Sequence, residues 1–294
     1  NGNIAAMSVN IPILGSNAAL LHNYKYDQLN RLVGTYTYTG LTSGNTWNKT
    51  ATLKYRESII YDANGNIESY TRNGHLDGVN QVMDQLTYHY SMSGPNKLHN
   101  QLQHVSDAVP EARYQGDIDN QDPGNYLYDD IGNLVSDVKE GIQSINWNVY
   151  GKIQTIGKTD GTNILYSYDA SGNRVSKKVV SGGSANETWY VRDASGNVMS
   201  VYTQTSAVNS GHLTQSELHL YGSSRLGILN QNLDVYNLAA LPPAGITTFT
   251  RGNKFFELSN HLGNVLVTIS DKKIGVPQAS PNQTLVDYYT ADVV

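Results

Sequence analysis

One short phrase returns along this chain and limits what the chain can become. An aromatic residue is followed by Asp, two variable residues, Gly, Asn and an aliphatic run. It reads Tyr61-Asp62-Ala63-Asn64-Gly65-Asn66-Ile67, then Tyr128-Asp129-Asp130-Ile131-Gly132-Asn133-Leu134, then Tyr168-Asp169-Ala170-Ser171-Gly172-Asn173-Arg174-Val175. Arg192-Asp193-Ala194-Ser195-Gly196-Asn197-Val198 keeps the turn and loses the tyrosine, while Ser259-Asn260-His261-Leu262-Gly263-Asn264-Val265 has Asn for Asp. Looser copies run over Tyr26–Leu32, Trp147–Ile153 and Tyr221–Leu226. A chain that repeats one small unit builds its core by stacking neighbours, not by collapsing around a single centre.

The phrase is hairpin chemistry. Asp suits the first position of a type I turn, where its carboxylate accepts backbone N–H bonds, and Gly suits the fourth, where φ is positive. A type I turn followed by a left-handed residue is a common bulged hairpin connection. Asn tolerates that region, which accounts for Asn30 at a glycine position. Asp62, Gly65, Asp129, Gly132, Asp169, Gly172, Asp193, Gly196 and Gly263 are therefore predicted corners. The flanks alternate with period two, as in Ile164, Tyr166 and Tyr168 before one corner and Val175, Lys177 and Val179 after it. No dozen-residue segment has a helical period, and only 15% of residues are charged, too few for long solvated helices. The fold class is all-β, a series of antiparallel hairpins. Tyrosine occurs 21 times against 3 Phe and 3 Trp. It is a strand former that keeps one end wet. Tyr126, Tyr128, Tyr166, Tyr168 and Tyr190 are expected to form cross-strand aromatic ladders. Polar, turn-rich breaks at 40–50, 115–125, 181–187, 203–216 and 275–283, and an apolar stretch around Pro242-Pro243, read as loops inserted into one wall.

These phrases resemble the YD repeats of the RHS (rearrangement hotspot) family, which includes the teneurins and the C subunits of Tc toxins. The likeness is tightest over 126–271, and Asn260-His261-Leu262-Gly263-Asn264-Val265 is similar to the phrase that opens the RHS-associated core. The resemblance implies a continuous antiparallel sheet spiralling into a hollow shell, with 1–253 as repeat wall and 254–294 as the start of the core. It implies an exported bacterial protein, secreted or at the cell surface. Its partners would be the remainder of the same polypeptide, including a C-terminal toxin, and secretion-system components. The family's autoproteolytic aspartates lie downstream of the core phrase, and no residue here matches them. The absence of an initiator Met and the abrupt end at Val294 suggest a piece of a longer chain.

Other chemistry finds little footing. With no cysteine, thiolate nucleophiles, disulfides and thiolate zinc sites are excluded. A net charge of −5 disfavours electrostatic nucleic-acid binding, and no apolar run is long enough for a membrane-spanning helix. His99 and His104 lack a third ligand, and His261 reads as a turn residue. Asp117, Asp119 and Asp122 form an Asp-x-Asp-x-x-Asp run that could offer oxygens to calcium, without the glycine and terminal glutamate of an EF-hand. A solvated loop is the favoured reading there. The sequence therefore points first to a non-catalytic shell segment. A surface adhesin or recognition module comes second, and an all-β glycoside hydrolase third, the last requiring two carboxylates facing each other across a groove.

Overall fold

The protein is described by a computed structural model over residues 2–10, 19–76, 78, 81–94, 96–237, 250–260 and 263–272. Pro242-Pro243, His261-Leu262 and the break at 275–283 lie outside the described residues. The strands, in chain order, are β1 (Ala6–Val9), β2 (Leu20–Tyr26), β3 (Leu32–Leu41), β4 (Trp47–Tyr61), β5 (Ile67–Asn73), β6 (Val82–Ser93), β7 (Asn96–Asp107), β8 (Tyr126–Tyr128), β9 (Leu134–Asp137) and β10 (Ile142–Trp147). They continue as β11 (Ile153–Lys158), β12 (Asn163–Tyr168), β13 (Arg174–Ser181), β14 (Ser184–Arg192), β15 (Val198–Gln204), β16 (Thr214–Tyr221), β17 (Arg225–Asp234), β18 (Lys254–Ser259) and β19 (Val265–Ser270). Neighbours in space are neighbours in sequence: a seven-stranded sheet runs from β1 to β7 and a twelve-stranded sheet from β8 to β19. The fold is all-β and antiparallel, with open sheets. The strand order is interrupted once, after Asp107, where 108–125 carry no strand. Pro110 and Pro123 cannot donate to a ladder. By compactness the chain divides into Asn1–Ile142 and Gln143–Val294. The described part of 254–272 extends the meander of the second unit, with β18 pairing β17 and β19.

Each full copy of the phrase makes the same corner. The Gly172 N–H donates to the Asp169 carbonyl at 3.0 Å and the Asp169 N–H to the Asn173 carbonyl at 2.9 Å. The pair recurs at Asp62/Gly65, Asp129/Gly132, Asp193/Gly196 and Asn260/Gly263. Gly65, Gly132, Gly172, Gly196 and Gly263 have φ between 80° and 93°, and Asn30 takes their place with φ 61°. The strand register slips by one residue just before each corner, at Tyr61, Tyr128, Tyr168, Arg192 and Ser259. This is the bulge that a left-handed residue creates after a type I turn.

Burial is shallow and alternating. β12 alternates between exposed and half-buried positions along its whole length. Among the described residues the buried apolar side chains include Leu21, Leu86, Val105, Ile145, Val201 and Leu229, spread along both units rather than gathered in one core. Apolar residues of the same kinds, such as Leu127, Leu165 and Val191, remain exposed. Few apolar side chains in either sheet are fully covered. The order of the sheets must therefore come largely from hydrogen bonds at their corners and between their strands.

Gly172 tests this account. A Cβ there would meet only the Lys152 Cε at 3.6 Å, so the obstacle is the backbone and not crowding. Gly172→Val is expected to destabilise the chain by about 1–2 kcal/mol, the left-handed penalty for a substituted residue. Gly172→Asn should lose clearly less. Chemical denaturation of the two variants against the parent checks this, and equal stability of the valine variant would refute it.

Candidate functional site: corner locks, latches and a buried carboxylate group

At each corner the aspartate carboxylate holds the loop from inside. Asp169 Oδ1 accepts the N–H of Ser171 at 2.9 Å and of Asn173 at 2.8 Å, and its Oδ2 accepts the Asn173 side-chain amide at 3.1 Å. Asp129 and Asp193 repeat all three bonds with Ile131 and Asn133, and with Ser195 and Asn197. Asp62 accepts both bonds from Asn66 and adds the Lys97 ammonium at 2.6 Å. At Asp27 an arginine takes the asparagine's role, Arg31 Nε reaching Oδ2 at 2.6 Å. The Asn after each glycine is thus half of the lock, a role the turn rules alone do not assign. The pKa shifts follow. The Asn133 amide and N–H hold Asp129 below the usual carboxylate range, and Asn197 does the same for Asp193. At Asp169 the Asn173 N–H leads, and at Asp27 the Arg31 N–H. At Asp62 burial opposes ionisation, but the bonds from Lys97 and Asn66 outweigh it and keep the group charged.

A second device joins one corner to the next. The tyrosine that opens each copy donates its hydroxyl to the carbonyl of the residue that follows the preceding corner. Tyr26 reaches Ile4 at 2.9 Å, Tyr61 reaches Leu32 at 3.0 Å, Tyr168 reaches Ile153 at 2.8 Å and Tyr221 reaches Val198 at 3.0 Å. Two related bonds involve the β6–β7 hairpin: Tyr90, within β6, donates to the Ile67 carbonyl at 2.8 Å, and Tyr128 donates to the carbonyl of Leu102, the β7 residue opposite Tyr90, at 3.0 Å. Burial, then the Asp62 carboxylate, push the Tyr90 phenol up to about 12, so its proton stays on to be donated. Where the phrase has lost its tyrosine, Arg192 supplies the donor, its Nε reaching the Arg174 carbonyl at 3.1 Å. Donor and acceptor stand between 15 and 29 residues apart, so no constant spacing in the sequence marks the pair.

Across the neighbouring strand whose register is described, none of the five expected ladder tyrosines faces another aromatic. The residues directly across the strands are Asp137 for Tyr126, Leu134 for Tyr128, Lys177 for Tyr166, Arg174 for Tyr168 and Val201 for Tyr190. Cations take the ring faces instead. Arg174 lies 4.4 Å over Tyr166, Arg192 lies 5.9 Å over Tyr190, and Arg31 and Lys97 cover Tyr61 and Tyr90 at 4.6 and 4.3 Å. A guanidinium beside a half-exposed phenol gains both a cation–π contact and cover for its own stem. The Tyr126 hydroxyl receives a hydrogen bond from the Gln121 side chain at 2.9 Å.

The run Asp117, Asp119, Asp122 does not converge either. Asp122 is exposed and borders a small cleft of about 150 Å³ with Asn120 and Lys139. Among the described residues the acidic group with metal-ligand spacing is Asp84, Asp107 and Asp117, each offering a carboxylate oxygen within 4.8 Å of the others. Asp84 comes from β6, Asp107 ends β7, and Asp117 comes from the loop beyond it. Only long-range pairing brings them together, so the linear spacing named one of the three. Asp84 is fully buried, with Oδ2 on Arg72 Nε at 2.5 Å. A cleft of about 330 Å³ nearby is lined by Arg72, Glu57, Thr35 and His22. There Glu57 accepts bonds from Thr35 at 2.9 Å and Tyr70 at 3.0 Å, and burial lowers the His22 pKa. No described helix is long and apolar enough to cross a membrane.

No family model matches the chain, and no curated protein matches it. Among solved structures, TcdB2–TccC3 without its hypervariable C-terminal region is 13% identical over 92% of this chain, with a TM-score of 0.44. A TcdB2–TccC3–TEV structure is 13% identical over 92%, with a TM-score of 0.34. A Tc holotoxin pore of Photorhabdus luminescens bearing a TccC3 mutation is 14% identical over 86%, with a TM-score of 0.33. The chain spans 14–15% of the length of those chains.

Two expectations follow from the corners. Tyr168→Phe leaves the Ile153 carbonyl without its donor and should cost about 1 kcal/mol, whereas Arg192→Tyr should retain stability; denaturant titrations distinguish them. The corner aspartates have folded pKa values below their unfolded ones. Their contribution is therefore fully present above the unfolded carboxylate value of about 3.9 and is lost as pH falls through the lower folded values. Thermal unfolding followed from neutral to acid pH should show this loss. Asp193→Asn should lessen it by one corner's share while keeping two corner bonds, as Asn148 keeps its bonds to the N–H groups of Tyr150 and Lys152 at 2.9 and 3.0 Å.

Proposed function

We propose that this chain is a non-catalytic wall segment of an RHS-type shell, which encloses and helps deliver a toxin carried C-terminally on the same polypeptide. The observation that carries the reading is the latch from corner to corner, made by the residue at the same place in successive copies. Such a bond turns a row of hairpins into a wall whose stiffness does not depend on a deep core. The polar groups of the repeat are consumed in building it. The oxygens of Asp129, Asp169 and Asp193 are each filled by two backbone N–H groups and an asparagine amide. Carboxylates spent in this way are poor candidates for acid–base chemistry, because a general acid or base must exchange its proton with a substrate. The mechanism is steric: a hydrogen-bonded β wall keeps proteases, water-borne partners and the producing cell away from what lies behind it. The exported location and the dependence on secretion components belong to this same reading.

The test uses the complete gene product. Limited proteolysis should leave its C-terminal region intact under conditions that digest that region expressed alone. Tyr61→Phe combined with Tyr168→Phe should shorten the protection. A C-terminal region cleaved equally fast in both forms would overturn the reading and favour surface adhesion.

A further inference from the structure

We propose that Asp84, Asp107 and Asp117 bind one divalent cation of the calcium class, which fastens the loop after β7 to the first sheet. The spacing suits this. Oxygens bound to calcium at about 2.3–2.6 Å can stand up to about 5 Å apart across the ion, and these three lie within 4.8 Å of one another. The charge balance also calls for a cation. Among the described residues Asp84 pairs with one basic side chain, Arg72. Among the same residues Asp107 Oδ1 accepts the backbone N–H groups of Gln85 and Val109, at 2.8 and 3.0 Å, and these bring no net charge.

The independent observation is at the atoms themselves. Asp84 Oδ1, on a fully buried residue, and Asp117 Oδ1 are both buried with no hydrogen-bond partner among the described residues. A native fold seldom leaves such oxygens bare, because each forfeits its hydration with nothing in return. Two orphan carboxylate oxygens of the same group, drawn from separate segments, have a common remedy in a shared positive ion. The donors are all carboxylate oxygens, which favours a hard cation over zinc. They come from a strand, a strand end and a loop, an irregular set that calcium tolerates better than magnesium, which demands near-ideal octahedral geometry.

The inference stands apart from the shell reading and is tested apart from it. The chain is stripped with chelator at neutral pH and titrated calorimetrically with Ca2+ and, separately, Mg2+, with the thermal midpoint followed in parallel. One Ca2+ should bind with an affinity no weaker than about 1 mM, the lower end for extracellular calcium modules. It should raise the midpoint, and Mg2+ should bind less tightly. Asp117→Asn, in the loop, and Asp107→Asn should each weaken binding by more than about tenfold, the loss that even an outer-shell change brings at a metal site. Their circular dichroism should match the parent. Asp122→Asn, from the linear acidic run but outside the cluster, should bind as the parent does. No saturable Ca2+ binding, binding unaffected by both cluster variants, or binding lost in Asp122→Asn would each overturn the proposal. The first outcome would assign a shared proton to the group instead.

Discussion

The structure rests on one bond pattern: a carboxylate turned back on its own loop. Asp169 gathers two backbone N–H groups and an amide within a five-residue corner, and Asp129 and Asp193 do the same. A type I turn with a bulge is otherwise marginal, because it exposes backbone donors at a bend with little apolar cover. Filling those donors from within fixes the corner, and the corner fixes the register of both strands. Register matters here because a one-residue slip would exchange the two faces of the sheet. The bulge at each tyrosine absorbs the odd residue of the turn, so alternation resumes unbroken on the far side.

From the corners upward, the order is hierarchical. Locks set the hairpins, and latches such as Tyr61 to Leu32 join each hairpin to the one before it. Cations then lie over the tyrosine rings. The side-chain burial that usually dominates a fold's stability plays a smaller part, as the scattered buried positions from Leu21 to Leu229 show. Polar cohesion of this kind is cumulative. Each bond is worth little net of what water would supply, but each is made in copy after copy along the chain.

How much of this was legible in the sequence depended on distance along the chain. Asp-x-x-Gly is local turn chemistry, so the corners, their positive-φ glycines and the alternating strands could be read directly. The role of Asn173 was equally local, yet propensity rules for turns say nothing about an amide reaching the carboxylate's second oxygen. Partners of the tyrosines were not legible, because alternation predicts which face a side chain takes, not what stands opposite it. Register set Lys177 and not an aromatic across from Tyr166. The acidic group was the least legible. Asp117 was visible in a polar run, but its companions are set by the pairing of β6 with β7 and by the fold of the intervening loop, which no linear spacing records.

Arg192 carries a consequence for the history of such chains. It makes the same bond as the tyrosines through quite different chemistry, so what is preserved is a donor at a place and not a side chain. Spelling can then drift freely while the architecture persists, and the ancestry of a repeat would be better traced by which atoms reach its backbone carbonyls than by alignment of its letters.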